Sequence, residues 1–212
     1  MIPADMIAGQ IRSFLGDVGA DCIKIGMLYS KNIIRLVAGI LDEYSSIPVV
    51  VDPVMVTSSG DKLLEEDAVQ AYKDYLFPRT SILTPNKKEA EWLCGKELNE
   101  GNIEECLKDL SRWGNSVIIK SVENRDFFID YYYNPVEKVM KVYKKEGIRT
   151  RNVNGTGDSF ASAVATFLSK GYGIEFAVPE AERFIQQSIE LGARFKFGKG
   201  FGPVYPYYEV QE

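Results

Sequence analysis

The chain has 212 residues, of which 45% are hydrophobic and 26% are charged, an ordinary composition for a globular protein with a sizeable core. It contains no histidine, which excludes Ser-His-Asp and Cys-His catalysis and HExxH zinc sites. Its net charge of −5 and the lack of a basic block argue against nucleic acid as the main partner.

Short apolar strands and amphipathic helices alternate along the chain, as the hydrophobic periodicity indicates. Strands are predicted at 22–26, 47–51, 81–83 and 117–120, followed by a hairpin at 127–133 and 136–143. The tail, rich in Gly, Pro and Tyr, is expected to pack as an ordered loop. No repeat or linker interrupts the pattern, so we expect a single domain over residues 1–212. The predicted helices are 3–15, 32–44, 64–76, 86–94, 103–113, 155–168 and 179–195.

The alternation predicts an α/β fold, an open and mostly parallel sheet with helices on both faces. Ligands of such sheets bind beyond the carboxyl ends of the strands. The polar or flexible residues at those ends are therefore the candidate site. They are Gly26, Met27, Asp52, Thr84, Pro85, Asn86, Lys120 and the loop before Gly155.

The segment Asn154-Gly155-Thr156-Gly157-Asp158 opens the sixth predicted helix. Its glycines let a ligand approach the backbone closely, and the unpaired N–H groups of a helix start hold anions. Asp158 would then project from the first turn beside the anion. On these residues alone, a plain helix start with Asp158 stabilising the helix dipole is equally consistent.

Four further side chains carry both a functional and a structural interpretation. Asn86 and Glu89 fit a helix capping box, and the same Glu89 could lie near a hydrated Mg²⁺. Asp52 either holds Mg²⁺ or its water, or it shapes the turn before Pro53. Lys120 either pairs with a phosphate or ends its strand in solvent.

Cysteine spacing and hydropathy both indicate the cytoplasm. Cys22, Cys94 and Cys106 are widely spaced and form no CxxC pair, which disfavours a disulfide framework or a zinc ribbon. We therefore expect three buried, reduced thiols. No apolar run reaches the roughly 18 residues of a membrane span, and the first residues match neither a signal peptide nor a transit peptide. A membrane partner is not expected.

Six segments together resemble the ribokinase-like kinases, and within them the hydroxymethylpyrimidine/phosphomethylpyrimidine kinase family. They are 24–28 (KIGML), 51–55 (VDPVM), 59–64 (SGDKLL), 83–90 (LTPNKKEA), 154–158 (NGTGD) and 198–204 (GKGFGPV). The resemblance covers nearly the whole chain. It implies a three-layer ribokinase-like fold and ATP-dependent phosphorylation of hydroxymethylpyrimidine or its monophosphate in thiamine biosynthesis.

The resemblance also implies roles at the start of the sixth helix. Gly155, Thr156 and Gly157 would form the anion hole around the transferred phosphoryl group. Asp158 would take the proton from the substrate hydroxyl. This mechanism needs no histidine, because phosphoryl transfer depends mainly on positioning and charge stabilisation.

Residues at the strand ends receive roles in the same way. Asn86 and Glu89 match the family's NxxE motif, which serves Mg²⁺ and the phosphates of ATP. Asp52 matches a carboxylate on the metal side, and Lys120 matches a lysine on the phosphate side. Mg²⁺ and ATP are thus the implied cofactor and co-substrate.

Two departures from the family's pattern leave alternatives open. The pyrimidine kinases usually carry cysteine where this chain has Asp158; aspartate is more typical of ribokinase and of pyridoxal kinases. Pyridoxal kinase of vitamin B6 salvage is therefore one alternative. Met1 aligns with the helix before the KIGML strand, so the family's opening strand and much of its substrate-covering lid would lie upstream.

Such an N-terminally truncated kinase domain would expose sheet edges, and we expect it to form a homo-oligomer. Its substrate side, a pocket for a small heteroaromatic alcohol, would retain Gly26 and Met27. A catalytically impaired remnant that only binds nucleotide is the alternative from a different functional class.

Overall fold

The computed structural model describes residues 2–56, 63–65, 67–124 and 127–207. The helices in these ranges are Ala4–Asp17 (α1), Lys31–Glu43 (α2), Ala68–Ala71 (α3), Lys87–Cys94 (α4), Ile103–Leu110 (α5), Thr156–Ser169 (α6) and Ile174–Gly192 (α7). The strands are Ile23–Ile25 (β1), Val49–Val51 (β2), Ile82–Leu83 (β3), Ser116–Asn124 (β4), Phe127–Asn134 (β5), Val139–Glu146 (β6), Asn152–Asn154 (β7) and Gly202–Pro203 (β8).

Strands β1 to β6 form one sheet in the order in which they occur along the chain. β1 to β4 pair in parallel, and β4, β5 and β6 continue as an antiparallel meander. The predicted hairpin is confirmed, with its turn at residues 135–138. The mostly parallel sheet confirms the predicted fold class.

Each face of the sheet has its own apolar core, because successive side chains of a strand point to opposite faces. Val49 and Val51 pack with residues of α2, α3, α4 and α5. Val50, between them, packs with Phe160 and Val164 of α6 and with residues of α7. All three valines are almost fully buried, as expected of a parallel strand covered on both faces. The helices therefore cover both faces, as predicted.

The helix predicted at 64–76 is shorter and less regular than expected. Only Ala68–Ala71 is α-helical, and Tyr72–Leu76 and Phe77–Arg79 follow as a π-helical and a 3₁₀ turn. Pro78 has no N–H group and cannot extend an α-helical ladder, which accounts for the end of the segment. Residue 66 of the predicted helix lies outside the described residues.

Helix α7 begins at Ile174 rather than at Pro179, which lies inside it. The first turn forms because Ala177 and Val178 are fully buried in the core beside α6, while Phe176 contacts Phe167. This packing offsets the backbone hydrogen bond that a proline inside a helix cannot make. Three smaller differences are that α5 ends at Leu110, that β4 extends over Ser116–Asn124 and that the tail contains β8.

The expectation of three reduced thiols is wrong. Cys94 at the end of α4 and Cys106 in α5 form a disulfide, and Cys22 is a free, half-buried cysteine. The spacing of 12 residues gives no local signal, because the two helices bring the cysteines together by packing.

Among the described residues, no helix is both long and apolar enough to cross a bilayer. Of the segments that carry the family resemblance, residues 59–62 lie outside the described ranges.

Candidate functional site

The carboxyl ends of β2, β3 and β4 and the first turn of α6 line one cleft of about 900 Å³. Parallel strands bring their carboxyl ends to the same edge of a sheet, which places side chains distant in sequence together. The predicted site residues that line the cleft are Asp52, Asn86, Glu89, Lys120, Gly155, Thr156, Gly157 and Asp158.

Asp52 and Lys120 form a buried ion pair in this cleft. Lys120 Nζ lies 3.0 Å from Asp52 Oδ1, and the two side chains are only 7% and 4% exposed. Thr84 Oγ1 donates a hydrogen bond of 3.1 Å to the same carboxylate oxygen. Burying two charges costs solvation free energy, so such a pair is weak evidence of a purely stabilising role. Its position in a cleft favours a binding role.

Gly157 lies against this ion pair. A Cβ atom at Gly157 would be 3.4 Å from Lys120 Nζ and 3.7 Å from Asp52 Oδ2. Gly155 caps α6 with a φ of 84°, a left-handed conformation that favours glycine. The first N–H groups of a helix have no partner within it, so this turn offers hydrogen-bond donors beside the Lys120 ammonium. The arrangement is suited to an anion such as a phosphate.

Asn86 and Glu89 form the capping box that the sequence predicts. Asn86 Oδ1 accepts from the Glu89 N–H at 3.0 Å, and Glu89 Oε2 accepts from the Asn86 N–H at 2.8 Å. Burial raises the pKa of Glu89 to about 7; the Asp52 carboxylate adds to the effect, and the Lys120 ammonium opposes it. A cap alone does not require a buried carboxyl, which makes Glu89 a candidate for ligand binding as well as for capping α4.

Asp52 and Glu89 are cleft carboxylates of the kind that could hold a hydrated Mg²⁺ ion. Mg²⁺ takes oxygen ligands, keeps several waters and is commonly held by one or two carboxylates together with substrate phosphates. Asp52 and Glu89 lie close enough for their charges to interact. Within the described ranges, no group of three or more His, Cys, Asp and Glu side chains could hold a metal. Water and phosphate oxygens would therefore complete the ligand set of a cation here.

Asp158 lies in the first turn of α6 and forms an ion pair with Lys24 of β1. The Asp158 side chain is 71% exposed, whereas that of Lys24 is 20% exposed. The carboxylate is thus accessible to a small molecule in the cleft. The sequence alone does not indicate this contact between Lys24 and Asp158.

Gly26 and Met27 lie in the loop after β1, outside the lining of the main cleft that the described residues form. Gly26 lines a separate apolar cavity of about 530 Å³ between α1, β1 and α2, and Met27 is exposed. The buried Tyr72 hydroxyl accepts from the Leu28 N–H at 2.8 Å and donates to the Gly26 carbonyl at 3.2 Å. Tyr72 thereby fixes the loop after β1, a role that its position in the sequence does not indicate.

A buried cluster of charged side chains lies at the other end of the cleft. Lys145 Nζ contacts Asp130 Oδ2 at 2.7 Å and Glu182 Oε2 at 2.6 Å. Asp130 Oδ1 also accepts from the N–H of Ser121, whose φ is 60°, at the irregularity in β4 just after Lys120. Burial and the neighbouring Asp130 raise the pKa of Glu182 to about 8. The cluster fixes the path of β4 beside the ion pair.

Three residues with roles at or near the site carry only weak signals in the sequence. They are Lys24, Lys145 and Tyr72. Lys24 is a charged residue between two isoleucines of a short strand, and that interruption is its one signal. Lys145 is one of three consecutive charged residues at the end of β6, so nothing in the sequence distinguishes it from its neighbours. Tyr72 has the spacing of an ordinary core residue of a helix.

A family model described as phosphomethylpyrimidine kinase matches residues 1–205. A thiamine biosynthesis bifunctional protein of Geobacter sulfurreducens is 34% identical over 210 residues, which span 96% of this chain but only 41% of that longer relative. A hydroxymethylpyrimidine/phosphomethylpyrimidine kinase of Mycobacterium tuberculosis is 31% identical over 214 residues, which span 99% of this chain and 76% of the relative.

Solved structures of two kinds of kinase share the fold. Pyridoxal kinase of Bacillus subtilis, in an ADP complex, has a TM-score of 0.85 and 30% identity, covering 96% of this chain and 76% of its own. Phosphomethylpyrimidine kinase of Clostridium difficile has a TM-score of 0.76 and 29% identity, covering 89% of this chain and 77% of its own. Pyridoxal kinase of Staphylococcus aureus has been solved with AMP-PCP.

Proposed function

Because the chain belongs to the phosphomethylpyrimidine kinase family, we propose that it transfers the γ-phosphoryl group of ATP to hydroxymethylpyrimidine or to its monophosphate in thiamine biosynthesis. A single kinase domain over residues 1–212 would carry this activity. The observation that supports it best is the position of Gly157 between Asp158 and the buried Asp52–Lys120 pair. An anion site, a fixed cation and an accessible carboxylate thus meet at one helix start.

The proposed step needs little covalent chemistry from the protein. The oxygen of the substrate alcohol, or of its phosphate, bonds to the γ-phosphorus of ATP as the bond from that phosphorus to the β,γ-bridging oxygen breaks. ADP leaves with the electron pair. For the alcohol substrate, the hydroxyl proton passes to the Asp158 carboxylate. During the transfer, negative charge on the phosphoryl oxygens is stabilised by the backbone N–H groups of Gly155, Thr156 and Gly157.

The remaining cleft residues position ATP. The Lys120 ammonium balances phosphate charge from within the cleft while Asp52 holds it in place. Asn86 lies at the start of α4 on the same edge and would contact a phosphate. Mg²⁺, held by Asp52 and Glu89 with water, would supply further positive charge to the phosphates.

Phosphorylation of pyridoxal is the second candidate. Two observations favour it: the structural likeness to the pyridoxal kinase of B. subtilis is high, with a TM-score of 0.85, and Asp158 stands where pyrimidine kinases usually have cysteine. The family match over residues 1–205 and the curated relatives favour a pyrimidine instead. Fold similarity alone does not define a substrate, so a pyrimidine is the favoured substrate.

We further propose a cytoplasmic homo-oligomer with small-molecule partners and without a nucleic-acid or membrane partner. The Cys94–Cys106 disulfide lends no support to the cytoplasmic location, which rests on the relationship to small-molecule kinases. The acidic net charge of −5 supports the absence of nucleic acid. β1 is an edge strand, and Phe14 and Val18 of the neighbouring α1 region are exposed, so association would cover apolar surface.

A coupled assay of ADP release tests the proposed function. MgATP is supplied with hydroxymethylpyrimidine, its monophosphate or pyridoxal in parallel reactions. We expect a pyrimidine to give the highest kcat/KM. A preference for pyridoxal of more than about tenfold, or 1.4 kcal/mol in transition-state binding, would reverse the assignment. ATP binding without turnover of any substrate would instead support the nucleotide-binding remnant.

A further inference from the structure

Lys24 contacts a residue of the proposed site across a long stretch of chain. It lies in β1, and its ammonium forms an ion pair with the carboxylate of Asp158, 134 residues further on. We propose that Lys24 is a positioning residue that holds the Asp158 carboxylate in place for the substrate hydroxyl. The inference rests on the proposed function, since it assigns Lys24 a task in the same reaction.

The register of the sheet explains why Lys24 points toward α6. Lys24 pairs with Val50 of the parallel strand β2, and side chains in register on neighbouring strands share a face. Val50 belongs to the core that includes α6 and α7, whereas Ile25 packs in the core on the opposite face. Lys24 is therefore placed on the α6 face by the alternation of β1, and α6 packs directly against this strand.

The two partners differ in exposure, which indicates which of them positions the other. The Lys24 side chain is 20% exposed and emerges from a strand, while Asp158 is 71% exposed at a helix start. A lysine anchored in the sheet restricts the rotamers of an accessible carboxylate. An ion pair with one exposed partner adds little to stability, so a requirement for folding does not explain a lysine at this position.

The loop after β1 leaves room for the Lys24 ammonium. A Cβ atom at Gly26 would lie in van der Waals contact with Lys24 Nζ, at 3.4 Å. Tyr72 holds the same loop through Gly26 and Leu28. Lys24 thus links the loop that the family resemblance assigns to the substrate side with the residue proposed to take the substrate's proton. The Lys120 ammonium is committed to Asp52 at 3.0 Å, so the two lysines serve different carboxylates.

The test compares steady-state kinetics of the whole chain and four variants: Lys24→Met, Lys24→Arg, Asp158→Asn and the double variant Lys24→Met/Asp158→Asn. Lys24→Met should lower kcat by about 10- to 100-fold, because small misplacements of a reacting group are costly. The KM for ATP should not change. Lys24→Arg should recover most of kcat. The double variant should be no slower than Asp158→Asn alone, since Lys24 acts through Asp158.

Lys108→Met is the matched control, because Lys108 forms an exposed ion pair with Glu104 on α5. It should leave kcat and both KM values unchanged. Unchanged kcat in Lys24→Met, or independent losses that multiply in the double variant, would overturn the proposal.

A spectroscopic readout separates failure of this inference from failure of the proposed function. If the wild-type chain phosphorylates none of the three substrates, the proposed function is refuted. The Lys24–Asp158 ion pair can still be tested by NMR. The ¹⁵N signal of the Lys24 ammonium should move when Asp158 is replaced by asparagine and stay in place in Asp109→Asn, which removes an exposed carboxylate of α5. A Lys24 signal unaffected by Asp158→Asn would refute the pair itself.

Discussion

The two sides of the proposed site are built differently. At the carboxyl ends of β2 to β4, Asp52, Glu89 and Lys120 are buried, and each has hydrogen-bonded or charged neighbours that fix it. At the end of β1, the loop is open, Met27 is exposed and an apolar cavity of about 530 Å³ lies beside Gly26.

This contrast agrees with the expectation from the family resemblance that phosphates bind at the ends of β2 to β4 and the substrate ring binds near Gly26 and Met27. Charged groups that stabilise a phosphoryl group act most strongly when they are fixed in advance and shielded from water. A heteroaromatic ring is held mainly by apolar contacts, which do not require buried charged groups. The Lys24–Asp158 ion pair joins the two sides.

Replacement of Asp158 tests the link between the two sides and has the largest expected effect. Asp158→Asn should lower kcat by roughly 10²–10⁴, the usual contribution of a general base, and leave ATP affinity nearly unchanged. Stopped-flow or steady-state kinetics together with ATP titration measures both quantities. Asp109→Asn on α5 is the control. Wild-type turnover in Asp158→Asn would favour the simple role of a helix-stabilising charge.

Replacement of Lys120 tests how strongly the phosphate side is fixed. Lys120→Met leaves the Asp52 carboxylate buried without its cation and should lower the free energy of unfolding by about 3–5 kcal/mol. The double variant Asp52→Asn/Lys120→Met should recover much of that loss, because the isolated charge is then removed. Chemical denaturation of the single and the double variant measures these free energies of unfolding. Lys108→Met, which breaks an exposed ion pair, is the control. Equal stability of Lys120→Met and Lys108→Met would show that the pair is not effectively buried.

The buried cluster of Asp130, Lys145 and Glu182 should make the stability of the protein depend on pH. Glu182 has a folded pKa of about 8, above the roughly 4.3 of an unfolded glutamate. Between these values the unfolded chain has released a proton that the folded chain keeps, so the free energy of unfolding falls as pH rises. The slope should reach at most ~1.4 kcal/mol per pH unit.

Glu182→Gln should flatten this dependence, whereas Glu190→Gln, which removes an exposed carboxyl of the same helix, should not. Urea denaturation at pH 5, 6, 7 and 8 provides the measurement. A slope that Glu182→Gln leaves intact would assign the dependence to another group.

Addition of one methyl group tests the anion site alone. The Cβ of Gly157→Ala would lie within 4 Å of both Lys120 and Asp52 and reduce the space for a phosphate. We expect ATP affinity to fall by about tenfold, or 1.4 kcal/mol. Gly39→Ala is the control, because nothing lies within 4 Å of that added atom in α2. ATP affinity equal in the two variants would place the phosphates elsewhere.

A substitution on the β1 side should have a smaller effect. It should change the KM for the alcohol substrate rather than the affinity for ATP. Tyr72→Phe removes the hydroxyl that bonds Leu28 and Gly26, at a cost of about 1 kcal/mol per hydrogen bond. The KM for the alcohol substrate should rise severalfold while the KM for ATP stays constant. Tyr75→Phe, on the same turn, serves as the comparison. A rise in the KM for ATP instead would contradict the division into two sides.

The phosphate side was predictable from sequence because parallel strands obey a positional rule. A carboxylate after an apolar run and a lysine at the end of another had to meet at one sheet edge, and the cleft contains both Asp52 and Lys120. The capping box of Asn86 and Glu89 is equally local, since its bonds span three residues.

Contacts between distant elements were not predictable in this way. Lys24 meets Asp158 only because β1 is in register with β2 under α6, and the disulfide depends on how α4 packs on α5. The π-helical turn at Tyr72 follows the same apolar periodicity as an α-helix. In each case tertiary packing, rather than local pattern, decides the structure.

The most direct test of the central claim is ³¹P NMR of the chain incubated with MgATP and hydroxymethylpyrimidine. We expect the γ-phosphate signal of ATP to decline as a phosphomonoester signal of the pyrimidine grows with an equal amount of ADP. The Asp158→Asn variant should show this change far more slowly. Release of inorganic phosphate without a phosphorylated pyrimidine, or a product formed equally fast by Asp158→Asn, would contradict the account.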